Sequence, residues 1–344
     1  MTKPGSSGYV GGAVRAFFGA KARTARPSAN VPLSERNRSQ GVALIMVLLI
    51  LAIATVALVS MSSSRQLDIR RTENLLRSAQ AFEYIYSLES WAANTLRADM
   101  HENKLDSFDD SWSKPLPETA IQGGAMQARL TDLQGRFNLN NLLVEEKPSD
   151  LDLQRFNRLL AELKIKPAVI DAILDWIDAD SAIRYPDGAE DETYLQQKTP
   201  YRSANQPFAE VSELLLIHGI TPEDYNKLKP YIYVAGRYAP LNVNTASPVL
   251  LRCLADNLSA KNAELLIRAI KHTPFKTVEA FLQHDAVAKL GINKQGLTVT
   301  SSNFLLSGSI RVGKISLLFD SQLARRENGL ITLIKRQRRS PSNG

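Results

Sequence analysis

Arg36-Asn37-Arg38-Ser39-Gln40-Gly41, followed by VALIMVLLILAIATVALVSM from Val42 to Met61, is the stretch from which the architecture can be read. The apolar run has no charge and is long enough to cross ~30 Å of hydrocarbon as a helix. Ahead of it stand Lys3, Arg15, Lys21, Arg23, Arg26, Arg36 and Arg38 against Glu35 alone, so residues 1–41 hold +6 of the chain's formal charge of +7. A basic flank of this kind stays in the cytoplasm and sends the bulk of the chain across the membrane. Arg65, Arg70, Arg71 and Arg77 follow the span, and Asp68 and Glu73 offset part of their charge. An ordinary secretory signal would carry a shorter apolar region of ~7–15 residues before a small-residue cut. Ala-Thr-Val-Ala is present, but the run continues straight into a helical pattern.

No Gly or Pro occurs between Val42 and Met100, and Leu75, Ala79, Phe82, Ile85, Leu88, Ala92 and Leu96 recur at three- and four-residue spacing. This predicts one helix of roughly 90 Å at about 1.5 Å per residue. Residues 42–61 would lie in the bilayer and 62–100 along a globular domain. Pro115, Pro117 and Gly123-Gly124 then mark a loop, and Ala125 to Leu139 reads as a strand that turns at Asp132 to Gly135. From Leu151 to about Leu290 the pattern is helical, opening with Leu153, Phe156, Leu159, Leu160 and Leu163. Phe304 to Ile334 alternates apolar and polar residues, as antiparallel strands do.

The expected fold is therefore α+β: a long N-terminal helix on a small antiparallel sheet, with a large all-helical domain inserted. Its expected segments are a cytoplasmic leader at 1–41, the membrane span at 42–61, and the rest of the helix at 62–100. Strands and a loop follow at 101–140, the insertion at 141–295, and the closing strands and tail at 296–344.

With 344 residues, 44% of them hydrophobic and 22% charged, the chain can bury at least one sizeable core. Beyond residue 41 the body is nearly neutral, which argues against a generally basic nucleic-acid binder. Cys253 is the only cysteine, and His101, His218, His272 and His284 lie far apart, so no zinc-type spacing or nucleophile motif stands out. Nothing in the chain calls for catalysis.

One constellation carries chemistry. Asp171, Asp175, Asp178, Asp180, Asp187, Glu190, Asp191 and Glu192 are crowded into one segment with Arg184 as the only cation, and such a set would repel itself if it converged without a counter-ion. Asp171, Asp175 and Asp178 are at helical spacing, and the wet side of a helix explains Asp171. The loop beyond mixes carboxylates with the turn residues Tyr185-Pro186-Asp187-Gly188, and oxygen ligands without nearby His or Cys suit Ca²⁺. A two-carboxylate hydrolase is the competing use, without an identifiable substrate platform.

The junction at Gly41-Val42 resembles a type IV prepilin leader, cut after glycine while the apolar helix is kept. RQLDIRRTENLLRSAQAFEYIYSLESWA, D-L-Q-G-R-F-N-L-N at 132–140 and LNVNTA at 241–246 are similar to the K-type minor pseudopilins of bacterial type II secretion systems. So are DWIDAD (175–180), PDGAED (186–191) and PYRSAN (200–205). Met46 stands where most prepilins have a glutamate that pairs with a neighbour's terminal amine, and its replacement is a feature of the K type.

The resemblance implies prepilin peptidase cleavage between Gly41 and Val42 and a single-pass inner-membrane subunit with a periplasmic C-terminal domain. It also implies a non-enzymatic role at the pseudopilus tip, starting assembly with minor pseudopilins I and J, and H as a further candidate. The inner-membrane assembly platform and the secreted cargo or the secretin complete the implied partners. For the metal, one Ca²⁺ or two, the expected ligands are Asp178, Asp180, Asp187, Glu190, Asp191 and Asn205. A type IV pilus minor pilin is the alternative within the class. A helix-hairpin-helix DNA-binding protein is the alternative outside it, suggested by LLIHGITPEDYNKLKPYIYV at 215–234, although Gly219-Ile220-Thr221 lacks the second glycine that lets amides approach phosphate.

Overall fold

The computed structural model describes the backbone of residues 33–340 and the side chains of residues 41–340. Most of the expected leader, residues 1–32, and the tail from 341 lie outside the described residues. The chain divides into two units, Met1–Arg70 and Arg71–Gly344. Helix α1 runs from Leu33 to Glu102.

In the first unit every residue of α1 from Gly41 to Arg70 is exposed, including all the apolar side chains from Val42 to Met61. A helix apolar on all sides and exposed among the described residues is suited to lipid, and this one is long and apolar enough to cross a membrane. Its few hydroxyls bond back to the helix: Thr55 donates to Ala52 O at 2.8 Å and Ser63 to Val59 O at 2.9 Å. Such back-bonds satisfy those two hydroxyls without water.

In the second unit the inward stripe of α1 is Ala81, Ile85, Leu88, Ala92 and Leu96, all buried. This corrects the phase expected from the sequence, because Leu75, Ala79 and Phe82 are exposed. From Ile85 a step of three or of four residues backwards is equally compatible with the helical period, and the small Ala81 lets the backbone approach the sheet where Phe82 would not.

After α1 come β1 (Leu116–Ile121) and β2 (Gly124–Asp132). The prolines here were read as a loop. Pro117 instead sits in an edge strand whose register shifts between Leu116 and Thr119, a place where a missing amide donor is tolerated. The chain then leaves the sheet through β3 (Phe137–Asn138), β4 (Leu143–Val144), β5 (Lys147–Pro148), α2 (Asp150–Glu162), α3 (Val169–Ile177), α4 (Asp191–Leu195) and α5 (Pro222–Leu228). It continues through β6 (Ile232–Tyr233), β7 (Leu241–Asn242), α6 (Pro248–Arg252), α7 (Ala260–His272), α8 (Val278–Gln283) and β8 (Leu297–Thr298). The return to the sheet is made by β9 (Asn303–Val312), β10 (Ile315–Arg325) and β11 (Ile331–Arg339).

The sheet order is β1-β2-β9-β10-β11, antiparallel throughout. Strict alternation puts Phe304, Leu306 and Ile310 of β9 and Leu317, Phe319 and Leu323 of β10 inward, into one core with the α1 stripe and Trp112. Burial of each such side chain contributes about 1.5–3 kcal/mol. The inserted segment has its own core around Phe156, Leu159, Leu160, Ile173, Tyr194, Leu214 and Phe281. Helices carry it, and the two-residue parallel pairs β3–β6 and β7–β8 tie its beginning and its end to the segment around residues 232–242.

Candidate metal centre

The two asparagine-rich motifs are the joints between sheet and insertion. Asp132, at the end of β2, is buried and accepts from Ser301 Oγ at 2.6 Å, Asn242 Nδ2 at 3.1 Å and Gln134 N at 2.8 Å, with Thr245 Oγ1 at 2.5 Å. Burial pushes its carboxyl above the usual range, and these hydrogen bonds oppose the shift. Asn140 donates to Phe208 O and Ala235 O, and accepts from Phe208 N. Asn141 pairs in the same two-way manner with the backbone of Ala239. A Cβ at Gly135 would lie 2.6 Å from Thr245 O, so glycine is required where the two motifs cross. Every polar residue of LNVNTA is buried and spent on internal bonds, Asn242 and Thr245 on Asp132 and Asn244 on the backbone of Phe275, which argues against the motif as a phosphate grip. In the hairpin at 215–234, Asp224 Oδ2 already accepts the Thr221 amide at 3.2 Å, and Thr221 Oγ1 accepts the Asp224 amide at 3.1 Å. The amides that would hold a phosphate are capped by the chain's own carboxylate and hydroxyl.

The acidic loop is organised by a residue that the sequence left on a helix face. Asp175, in α3, is fully buried and accepts the amides of Arg184 at 3.1 Å and Ala189 at 2.9 Å. Gly188 passes so close that a Cβ there would meet Asp175 Oδ2 and Arg184 O at 2.3 Å. The loop is thus wound around one carboxylate. Nothing in the spacing distinguishes Asp175 from Asp171, which is half-buried and holds only a long contact of 3.4 Å with the Asp187 amide.

Of the six expected ligands, Asp178 and Glu190 are buried, Asp191 and Asn205 are half-buried, and Asp180 and Asp187 are exposed. Asp178 Oδ2 accepts from Arg184 Nη2 at 2.7 Å, and Asp178 Oδ1 has no donor. Neither oxygen of Glu190 has a donor, nor has Asn205 Oδ1. Burial, then the charges of Asp175 and Asp178, raise the Glu190 carboxyl to about 7. Asp191 accepts the Ser203 amide at 2.9 Å and lies 3.5 Å from Arg202, whereas Asp180 accepts the nearby Ala182 amide at 2.8 Å. Asn205 is held in place by its own amide, which donates to Asp180 O at 2.9 Å.

Buried acceptors are almost always matched, and Asp178, Glu190 and Asn205 carry four oxygens without a hydrogen-bond donor among the described residues. The set is all oxygen and fits a hard divalent ion. The loop is not drawn to coordination distance around a point: among the described residues the three carboxylates within 4.8 Å of one another lie elsewhere, at Asp99, Asp106 and Asp110.

Two family models described as type II secretion system (T2SS), protein K, match residues 135–237 and 241–300. The chain is 32% identical to type II secretion system protein K of Pseudomonas aeruginosa, over 88% of this chain and 93% of that one. It belongs to the protein K family. The protein K of Klebsiella pneumoniae is 31% identical over 80% of this chain and 90% of its own. Among solved structures, a chain from the GspK–GspI–GspJ complex of the enterotoxigenic Escherichia coli type 2 secretion system superposes with a TM-score of 0.69 at 25% identity. That match covers 79% of this chain and all of the other. The protein K family is one of secretion pseudopilins, structural rather than catalytic, and the α+β fold is the one found here. The acidic loop and LNVNTA fall within the matched regions, as does the first joint motif from Gly135 onward.

Proposed function

We propose that this chain caps the type II secretion pseudopilus, starts its assembly in the inner membrane together with minor pseudopilins I and J, and so supports protein export across the outer membrane. The observation that carries this reading is the place of the insertion. β2 and β9 are hydrogen-bonded neighbours, yet the whole helical body from residue 133 to 302 is spliced between them. It is joined at the C-terminal end of α1, where Val299 O accepts the Asp106 amide at 2.8 Å. A filament built outward from the membrane receives new subunits at its base and presents that end of each subunit to the one above, and a body of this size there leaves no room for another copy above it.

Met46 supports the same role. A carboxylate in an apolar filament core is costly unless a neighbour's amine pairs with it, and a subunit with nothing ahead of it gains by lacking one. The solved relative that superposes on this chain is itself in a complex with GspI and GspJ. Prepilin peptidase, acting between Gly41 and Val42, and the inner-membrane assembly platform are further partners on this reading, with cargo or secretin met by the exposed end.

Ca²⁺ in the acidic loop is part of the proposal. Asp178, Glu190 and Asn205 would hold it, with Asp191 beside them, and its charge would offset the crowded carboxylates and fix the loop. The test is co-expression with the cognate I and J subunits and gold labelling of a tag in the insertion. Co-purification of the three and label confined to filament ends are expected; label along the shaft would refute the tip position.

A further inference from the structure

The buried stripe of α1 does not end on an apolar residue. Three positions after Leu96, Asp99 takes the next inward place and is 1% exposed, and Asp106, in the loop that follows, is equally buried. Asp110 lies further along that loop, and one carboxylate oxygen from each of the three is within 4.8 Å of the others. Among the described residues the cation paired with them is Arg325, at the end of β10, which is 3.4 Å from Asp99 and in contact with Asp106. Arg325 also donates to Ser301 O at 2.7 Å and lies over the Phe304 ring. One guanidinium against three carboxylates leaves the cluster short of positive charge.

Hydrogen bonds do not make up the difference. Asp110 accepts the Ser107 amide at 2.6 Å and Asn103 Nδ2 at 3.0 Å, and Asp106 Oδ2 accepts the Ser301 amide at 2.7 Å. Asp99 Oδ1 and Asp106 Oδ1 are buried and have no donor. A buried acceptor without a donor carries its full desolvation cost. A cavity of about 410 Å³ with Asp99, Asn103, Asp106 and Ser301 in its wall adjoins the cluster and has room for water ligands. Lys104 and Arg326 line it too, but no ion pair joins either to the three acids among the described residues.

We propose that Asp99, Asp106 and Asp110 form a second divalent-cation site, for a hard ion of the Ca²⁺ type held by oxygen alone. It is separate from the acidic loop and lies where helix, sheet and insertion meet: Asp99 comes from α1, Arg325 from β10, and Asn242, Val299 and Ser301 of the insertion bond to Asp106. Without His or Cys in the set, zinc and copper are poor candidates. The ion would supply the missing charge at that joint and fix the insertion to the pilin-like sheet.

The test uses the full chain in detergent with Mn²⁺ as the probe, in a background where Asp178→Asn and Glu190→Gln have removed the loop's donors. One Mn²⁺ per chain is expected to remain, and adding Asp110→Asn should abolish it while the circular dichroism is unchanged. This arm reads the same whether or not the loop itself binds Ca²⁺. Crystals of the chain soaked in Mn²⁺ provide a measurement without any variant at the site, and an anomalous peak between the three carboxylates is expected. No peak there, or Mn²⁺ stoichiometry unaffected by Asp110→Asn, would overturn the site.

Discussion

At the scale of single residues, stability in the second unit is concentrated in a few buried polar atoms. Asp132 satisfies four donors from three separate segments, so Asp132→Ala would strand Ser301 Oγ, Thr245 Oγ1 and the Gln134 amide in the interior, while Asn242 Nδ2 keeps Asp106 O and Ser301 Oγ as acceptors. At 1–3 kcal/mol for each stranded group, partly relieved by water, a loss of about 3 kcal/mol or more is expected, read as a lower urea midpoint for the chain in detergent. Gly135→Ala should act at the same joint for a steric reason, since its Cβ would meet the Thr245 carbonyl at 2.6 Å and neither backbone is free to move. Cys253 is a different case. It is 2% exposed, its Sγ donates to Val249 O, and burial pushes its thiol up to about 12. Native protein should therefore resist alkylation at pH 8 and react only on unfolding, because the thiolate is the nucleophile. Rapid labelling of folded protein by iodoacetamide would contradict that burial.

At the scale of elements, α1 and the acidic loop each make a testable demand. If Met46 is apolar because nothing precedes the subunit, then Met46→Glu should place an unpaired carboxylate in hydrocarbon, and secretion should fall or the subunit should move into the shaft. Unchanged secretion with unchanged position would remove that argument. In the loop, Ca²⁺ bound only by the folded state would add about 2.7 kcal/mol at a hundredfold excess over Kd, visible by calorimetry as a chelator-sensitive Tm. Asp178→Asn and Glu190→Gln should lower that sensitivity to what the Asp99, Asp106 and Asp110 cluster contributes, whereas Asp171→Ala should preserve it in full, as the described contact of Asp171 is a single long one. Identical melting curves with Ca²⁺ and with chelator in the native chain would make the loop an ordinary acidic surface.

At the scale of the molecule, the proposal depends on the apolar helix being kept. Mature protein should begin at Val42, as read by N-terminal sequencing or intact mass, with the basic leader left in the cytoplasm. An end at or beyond Ala54 would mean that an ordinary signal peptidase had removed much of the span, and the membrane-anchored subunit would be lost with it. The same mature chain should be the one that co-purifies with I and J subunits.

The sequence by itself determined the features that one dimension can hold. An uncharged run at 42–61, a basic flank, the absence of Gly and Pro to Met100 and the alternation after Phe304 were enough for a helix able to span a membrane, for its length and for the α+β class. Each of these is a local period or a local absence. What only the tertiary structure decided is which polar residues are buried, because that depends on partners far away along the chain. Asp132 meets Asn242 and Ser301, Asp106 meets Arg325, and Asp99 looks in sequence like one more acid on a helix that already carries Asp68 and Glu73. Asp175 and Asp171 are one helical turn apart, but only Asp175 receives the returning amides of Arg184 and Ala189. Spacing puts both on a helix side; the loop that comes back over α3 chooses between them, and a carboxylate's environment follows from that contact.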